Sequence, residues 1–267
     1  MLEPTDHSSI AKDERMADRQ LTGKIHRSGI GLLELPAIPK EIVDGFRALG
    51  SDLSSLVSDV LDEMGVAKAI GASVLRPIYT EAAVIGRALT LRNIPQEHSP
   101  YKGASAKISR LAEIEAHNLA EPGDVLVIQG VHGVSNIGGI SAAIGKRQGE
   151  IGAIVDGGVR DVTECRSINY PMWSRDVTPL TGKWRIQTVQ INFPVEIAGV
   201  QVTPGDIVIA DETGICFVPQ DIAAAVLKRA QEILAAEGQR QKDIAAGVSV
   251  PDLANRAGSF TMPKQDK

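Results

Sequence analysis

The sequence predicts an α/β fold, one domain of mixed sheet layers with helices packed outside. Three observations predict it. Apolar spacing alternates between helical and strand periods, a Pro-Gly-Asp turn leading into a short apolar run occurs twice, and between the copies strand, helix and strand patterns follow in β-α-β order.

A chain of 267 residues with 43% hydrophobic content can bury a full core as one large domain or two small ones. Net charge is −5 and pI about 5.6, with 28 basic residues scattered among 33 acidic ones and no basic block. This argues against nucleic acid as the main ligand, and 3% aromatic content leaves few stacking platforms for single strands. Cys165 and Cys216 fit no CxxC or metal-ligand spacing, which predicts reduced thiols and a cytoplasmic location. No stretch approaches the roughly 18 uninterrupted apolar residues of a membrane span, and the start of the chain has no apolar signal-like run.

Residues 1–24 are polar and without sustained apolar period, which predicts an arm, mobile or docked on a neighbouring subunit, and outside the core. Leu53, Leu56, Val57, Val60, Leu61 and Met64 form a continuous helical stripe, with Ser51 or Asp52 as its cap and Gly65 as its stop. AAVIGRALTLR predicts a strand with a glycine irregularity, and a helix is expected from about Ser105 to Asn118. EPGDVLVIQG and TPGDIVIADETG each predict a type II turn feeding a buried strand. Between them come a short helix over Ile140 to Ile144, closed by Gly149, and the buried strand GAIVD. VTECRSIN predicts a helix, MWSRDV a strand, Val189 to Val218 three or four short strands, and QDIAAAVLKRAQEILAAEGQ an amphipathic helix. The domain is expected to span 25–240, followed by an extension over 241–267.

Familiar chemical motifs are absent. Five residues, one too many, separate Gly139 from Gly145, and Arg147 stands where a phosphate loop needs Ser or Thr. GVHG lacks the third glycine of a dinucleotide fingerprint, and the five histidines form no HxH or HExxH pair. The segment IVDGGVRD is different. Its glycines are expected to turn the chain sharply at a strand end and deliver Arg160 and Asp161 to the sheet rim. There the guanidinium can grip a carboxylate and the acid beside it can bind Mg²⁺, or the pair can be a solvated ion pair or a helix cap. Gly138 and Gly139 precede a helix, so the amides there can receive an anion, or the glycines can simply let the helix approach the sheet. His132 is read as a loop residue without a site role, Trp173 and Trp184 as core or interface, Cys165 as a buried apolar side chain, and Asp59 and Asp62 as the solvated side of the first helix.

GGISAAIGKRQGEIGAIVDGGVRD, with LVSDVLDEMGV upstream and GVQVTPGDIVIADETGICFVP downstream, closely resembles the family of the regulator of ribonuclease E activity A and the 4-hydroxy-4-methyl-2-oxoglutarate aldolases. The likeness covers roughly Leu53 to Gln239. It implies a layered α/β/β sandwich of the swivelling-domain type, assembled as a ring-forming trimer or hexamer with active sites at subunit interfaces. It also implies that Arg160 holds substrate, that Asp161 anchors Mg²⁺ or Mn²⁺, that the amides of Gly138, Gly139, Ile140 and Ser141 receive a pyruvoyl carboxylate, and that Lys183 is catalytic. A neighbouring subunit's acid would match Asp243 or Glu237. Some members have been labelled demethylmenaquinone methyltransferases, but no S-adenosylmethionine loop is recognisable here.

One departure stands out. The aldolases carry an aspartate, twenty residues, then Arg-Asp; counting back from Arg160 lands on Gly139, so the first acid is missing. In the regulator branch the acid after the arginine is typically the one replaced, and here Asp161 is present. The resemblance therefore implies a metal-dependent lyase that cleaves a 4-hydroxy-2-oxo acid to pyruvate, with oxaloacetate decarboxylation as a related activity and an altered pocket. The alternative it implies is a non-catalytic ring that restrains a partner such as a ribonuclease.

Overall fold

Both Pro-Gly-Asp segments are tight turns. Gly123 and Gly205 have φ of +94° and +97°, and the amides of Asp124 and Asp206 donate to Glu121 O and Thr203 O at 3.1 and 3.0 Å. Each turn aspartate then captures a cation. Asp124 takes Arg87 through Nε at 2.7 Å and Nη2 at 3.1 Å, while Asp206 takes Lys68 Nζ at 2.8 Å. The two similar sheet entries are thus each fastened by an ion pair that is largely buried.

The computed structural model describes residues 20–79 and 81–255. Its helices are α1 (Lys40–Arg47), α2 (Leu53–Glu63), α3 (Pro100–Ala106), α4 (Glu113–Leu119), α5 (Gly139–Gln148), α6 (Val162–Ser167), α7 (Ala223–Ala245) and α8 (Val250–Ala254). The strands are β1 (Ala69–Gly71), β2 (Arg76–Pro77), β3 (Val84–Pro95), β4 (Asp124–Gln129), β5 (Ser135–Ile137), β6 (Gly152–Val159), β7 (Met172–Val177), β8 (Ile186–Ile191), β9 (Val195–Ile197), β10 (Val200–Val202), β11 (Ile207–Ala210) and β12 (Gly214–Val218). The main sheet runs β1-β12-β11-β3-β4-β6-β7-β2, with β8 pairing β3 and β5 pairing β6. Its centre, β3-β4-β6-β7, is parallel, and β9 and β10 form a separate antiparallel pair.

Alternate side chains of β4 define the layers. Leu126 and Ile128 pack with Ala116 of α4, Ala142 of α5 and Cys165 of α6. Val125 and Val127 face the other way, toward Val195, Ile197 and Val202 of the small β-pair, with Trp173 and Phe217. A third cluster joins α1, α2 and α7, through Phe46, Val57, Val60, Leu61 and Val226, to β11 and β12. Helices, main sheet and small sheet therefore form an α/β/β stack. Among the described residues no helix is long and apolar enough to cross a membrane.

Several local expectations are corrected. The helix expected from Ser105 to Asn118 is two helices: Lys107 is left-handed at φ 55°, and the connecting segment joins β8, where Ala112 N donates to Thr188 Oγ1 at 2.8 Å. Asp52 stands at the N-cap of α2 as expected but its side chain makes no cap bond; Asp211, distant in sequence, receives Ser54 N at 2.8 Å and Ser54 Oγ at 2.7 Å. Gly86 pairs in register with Val208 and is no irregularity in β3; it is small because a Cβ there would meet Gly123 O at 2.2 Å, while the register shift lies at Arg92/Asn93. The region from Val189 to Val218 holds parts of five strands, β8 to β12, instead of three or four. A boundary at 240 falls inside α7. Of the expected N-terminal arm, residues 1–19 lie outside the described residues, while Leu21 packs against the core and Thr22 Oγ1 donates to Glu115 Oε2. Residues 256–267 of the expected extension also lie outside them.

Candidate active site

The glycines of IVDGGVRD do not turn the chain. Gly157 and Gly158 continue β6, and they are small because a Cβ at either would meet backbone oxygens of the preceding loop, Val131 O at 2.8 Å and Val134 O at 2.5 Å. The turn comes at Asp161, which is left-handed at φ 55° and heads α6. Aspartate tolerates that region better than most residues, but the conformation is still strained, and strain of this kind gathers at functional sites.

Asp161 reaches across to the start of α5. Its Oδ2 accepts Gly139 N at 3.0 Å and lies 3.3 Å from Arg160 Nε. The carboxylate thus caps a helix that begins with two glycines and has no side-chain cap of its own. Gly138 and Gly139 are required by what lies against them. A Cβ on Gly138 would meet Asp161 Oδ2 at 2.7 Å and Arg160 Nε at 3.0 Å, and one on Gly139 would meet Glu164 Oε2 at 2.0 Å.

A cavity of about 380 Å³ opens here, lined by Arg160, Asp161, Glu164, Lys183, Glu113 and the Gly138, Ile140 and Ser141 turn among others. Arg160, Asp161, Lys183, Gly138, Ile140 and Ser141 therefore all border one cavity. Gly139 does not line the cavity, and its amide is already engaged by Asp161. Arg160 and Asp161 side chains keep 32% and 40% of their exposure, so both remain open to a ligand.

Glu164 and Glu113 were missed. Glu164 sits one turn after Asp161, and the only sequence signal was that spacing; its carboxylate occupies the space a side chain at Gly139 would need. Glu113 is brought in by α4, and burial pushes its carboxyl above the ordinary carboxylate range, against its own backbone hydrogen bond and the nearby charges of Lys183 and Arg160. His117 and Glu150 were missed as well, since nothing in their spacing joins them to Ser141.

The acids expected to serve a neighbouring subunit, Asp243 and Glu237, lie on the distal half of α7 and do not line this cavity. His132 also lies outside it, 3.4 Å from Asp156 through Nε2. Trp173 is core, with Nε1 donating to Asp211 O at 2.8 Å, and Trp184 is half-buried against Gly103. The Cys165 thiol is buried and pushed up to about 11, by burial first and then by Asp161 and Glu164, which suits an inert packing role.

The RraA-like family, described as Aldolase/RraA, matches residues 54–217, which contain the whole cavity lining. The chain belongs to this family. "Protein DlpA" of Legionella pneumophila is 29% identical over 202 residues, covering 73% of this chain but 30% of that protein, so the chain spans less than a third of that relative. A "Putative 4-hydroxy-4-methyl-2-oxoglutarate aldolase" of Halalkalibacterium halodurans is 27% identical over 197 residues, covering 73% of this chain and 86% of that one. Among solved structures, Streptomyces coelicolor RraAS2, described as an unusual member of the RNase ES inhibitor RraA protein family, superposes with a TM-score of 0.61 at 25% identity, covering 81% of this chain and 99% of its own. The RraA-like family thus includes relatives named as aldolases and a relative named for ribonuclease inhibition.

Proposed function

We propose that this chain is a divalent-metal-dependent lyase that cleaves a 4-hydroxy-2-oxo acid to pyruvate and decarboxylates oxaloacetate by the same route. The observation that carries the reading is the meeting of Arg160, Asp161 and the Gly138-to-Ser141 turn on one small cavity. A ribonuclease-restraining ring needs no such cavity, which is why the catalytic reading is preferred.

Whether Mg²⁺ or Mn²⁺ suits these residues is a question of donors. Among the described residues no group of three or more His, Cys, Asp or Glu converges to hold a metal. Mg²⁺ commonly takes only one or two carboxylates and completes its shell with water and substrate oxygens. Asp161 and Glu164 supply that number of hard donors, and Glu164 occupies the space in front of Gly139, the position at which the family resemblance leads one to expect an acid. The donor set fits, with Asp161 as the anchor and Glu164 beside it.

When bound, the metal supplies Lewis-acid stabilisation of the negative charge that develops on the departing pyruvate unit. The chain does the rest. Arg160 offers a planar fork to the substrate carboxylate, and Lys183 adds a second positive charge at the lining. The free amides of the α5 first turn complete the anion-binding surface, less the one that Asp161 takes. A water positioned by Arg160 carries the 4-hydroxyl proton away as the carbon–carbon bond breaks.

Pyruvate release from 4-hydroxy-2-oxo acids and oxaloacetate, with Mg²⁺ and with chelator, tests the reading. Metal-dependent release by the native chain and its loss in Asp161→Ala, by at least about 100-fold, is the expected outcome. Unchanged turnover in that variant would remove Asp161 from the mechanism. Failure of every substrate, together with no heat on titrating oxalate in Mg²⁺, would favour the ribonuclease-restraining alternative.

A further inference from the structure

A second set of polar side chains meets the same cavity at α5, and the lyase reading, which takes only the backbone amide of Ser141, does not use them. His117 is buried in α4, with Nε2 2.8 Å from Ser141 Oγ and Nδ1 2.7 Å from Glu150 Oε1. Tyr170 OH donates to Glu150 Oε2 at 2.6 Å. All four are buried, and Ser141 and His117 both line the cavity.

The hydrogen-bond partners accommodate one set of roles that suits acyl transfer. Tyr170 is held protonated, its hydroxyl pushed well above the ordinary range by burial first and by the Glu150 charge second. Glu150 accepts the Tyr170 O–H on one oxygen, and its other oxygen stands 2.7 Å from His117 Nδ1, placed to accept the proton that nitrogen carries in the proposed base. With His117 donating through Nδ1, as a catalytic base must, Nε2 is left to accept the Ser141 hydroxyl across the 2.8 Å contact. In that arrangement the hydroxyl proton is directed at the imidazole and the oxygen lone pairs are left for the cavity.

The chain reserves space for this arrangement. A Cβ at Gly145 would meet Glu150 Oε2 at 2.2 Å and His117 Nδ1 at 2.9 Å, so a glycine inside α5 is what admits the pair. Glycine in a helix interior is less stable than alanine, and here that loss is accepted at the position facing the network. Ser141 lies in the first turn of α5, where the amides of Ile140 and Ser141 have no helical carbonyl to pair with.

We propose that Ser141, His117 and Glu150 form an acyl-transfer triad, with Ser141 as nucleophile, His117 as base and Glu150 as its orienting acid, acting on a small ester or thioester whose carboxylate is held by Arg160. The geometry has the order such triads require: nucleophile bonded to base, base bonded to acid, and first-turn amides beside the nucleophile to receive an oxyanion. As the Ser141 Oγ–carbon bond forms, the hydroxyl proton passes to His117 Nε2. The alcohol or thiol leaves with that proton. Water then loses a proton to His117 and attacks the acyl-serine, releasing the acid and returning the proton to Ser141. Arg160 and the first-turn amides are shared with the lyase reading, but no metal is needed, so activity in chelator separates the two.

The test is covalent labelling of the full chain by a fluorophosphonate in chelating buffer, followed by intact mass and peptide mapping. One adduct per chain at Ser141 is expected, absent in Ser141→Ala and formed about 100-fold more slowly or less in His117→Gln. Hydrolysis of p-nitrophenyl acetate should fall in parallel. A native chain that gains no adduct at Ser141 overturns the proposal whether or not the variants fold. So does an unchanged labelling rate in a His117→Gln variant that retains a native thermal melt.

Discussion

At the scale of single residues, the site is a set of exchanges of space. Glu164 reaches the position in front of Gly139 only because Gly139 has no side chain, so the missing acid and the unexpected one are two halves of one arrangement. Glu113 shows what the enclosure does to charge. Burial raises its carboxyl above the ordinary range, so the unfolded chain ionises at lower pH than the folded one. Stability is therefore lost as pH climbs from the ordinary carboxylate range to the raised value. Glu113→Gln should raise the melting temperature at neutral pH and leave it unchanged well below the carboxylate range, as thermal melts at the two pH values would show. The two cysteines need no such treatment, since burial keeps Cys165 and Cys216 as thiols, pushed up to about 11 and about 12.

At the scale of elements, strand and helix identity came from local pattern, while joins came from distant partners. MWSRDV is β7 to the residue, and GAIVD begins β6, because alternation and apolar runs record burial directly. The break between α3 and α4 was not readable, since it is made by β8, which is remote in sequence. The acid that receives the first turn of α2 was not readable for the same reason: Asp211 belongs to the β11–β12 turn. The Pro-Gly-Asp turns show the clearest dependence of element on ion pair. Arg87 is buried against Asp124, with Glu121 at 3.0 Å and Leu35 O at 2.8 Å. Arg87→Met leaves Asp124 buried without its cation and should cost about 3–5 kcal/mol, measured by denaturant unfolding. A loss under about 1 kcal/mol, the range of an exposed pair, would show that the turn holds without it.

At the scale of the whole molecule, the cavity is open on one side. Ile140 at its rim is 75% exposed, and Val177 and Leu180, on the segment leading to the lining residues Thr181 to Lys183, are 66% and 46% exposed. Apolar side chains so placed gain most by contact with another subunit. The expected assembly is a trimer, or two stacked trimers, of the 28.4 kDa chain. Sedimentation velocity should find it, and Ile140→Glu should shift the distribution toward monomer. A native chain that sediments as a monomer across micromolar concentrations would contradict the expected ring.

The sequence by itself determined the α/β class and the two turn-and-strand entries, and it marked Arg160, Asp161 and the Gly138-Gly139 pair as candidates, because each is written in neighbouring residues whose period or turn chemistry is local. Only the tertiary structure decided that Asp161 caps α5, that Glu164 stands in front of Gly139, and that His117, Glu150 and Tyr170 join Ser141. Those contacts link side chains from separate helices and loops, and no local spacing encodes which of them a folded core will press together.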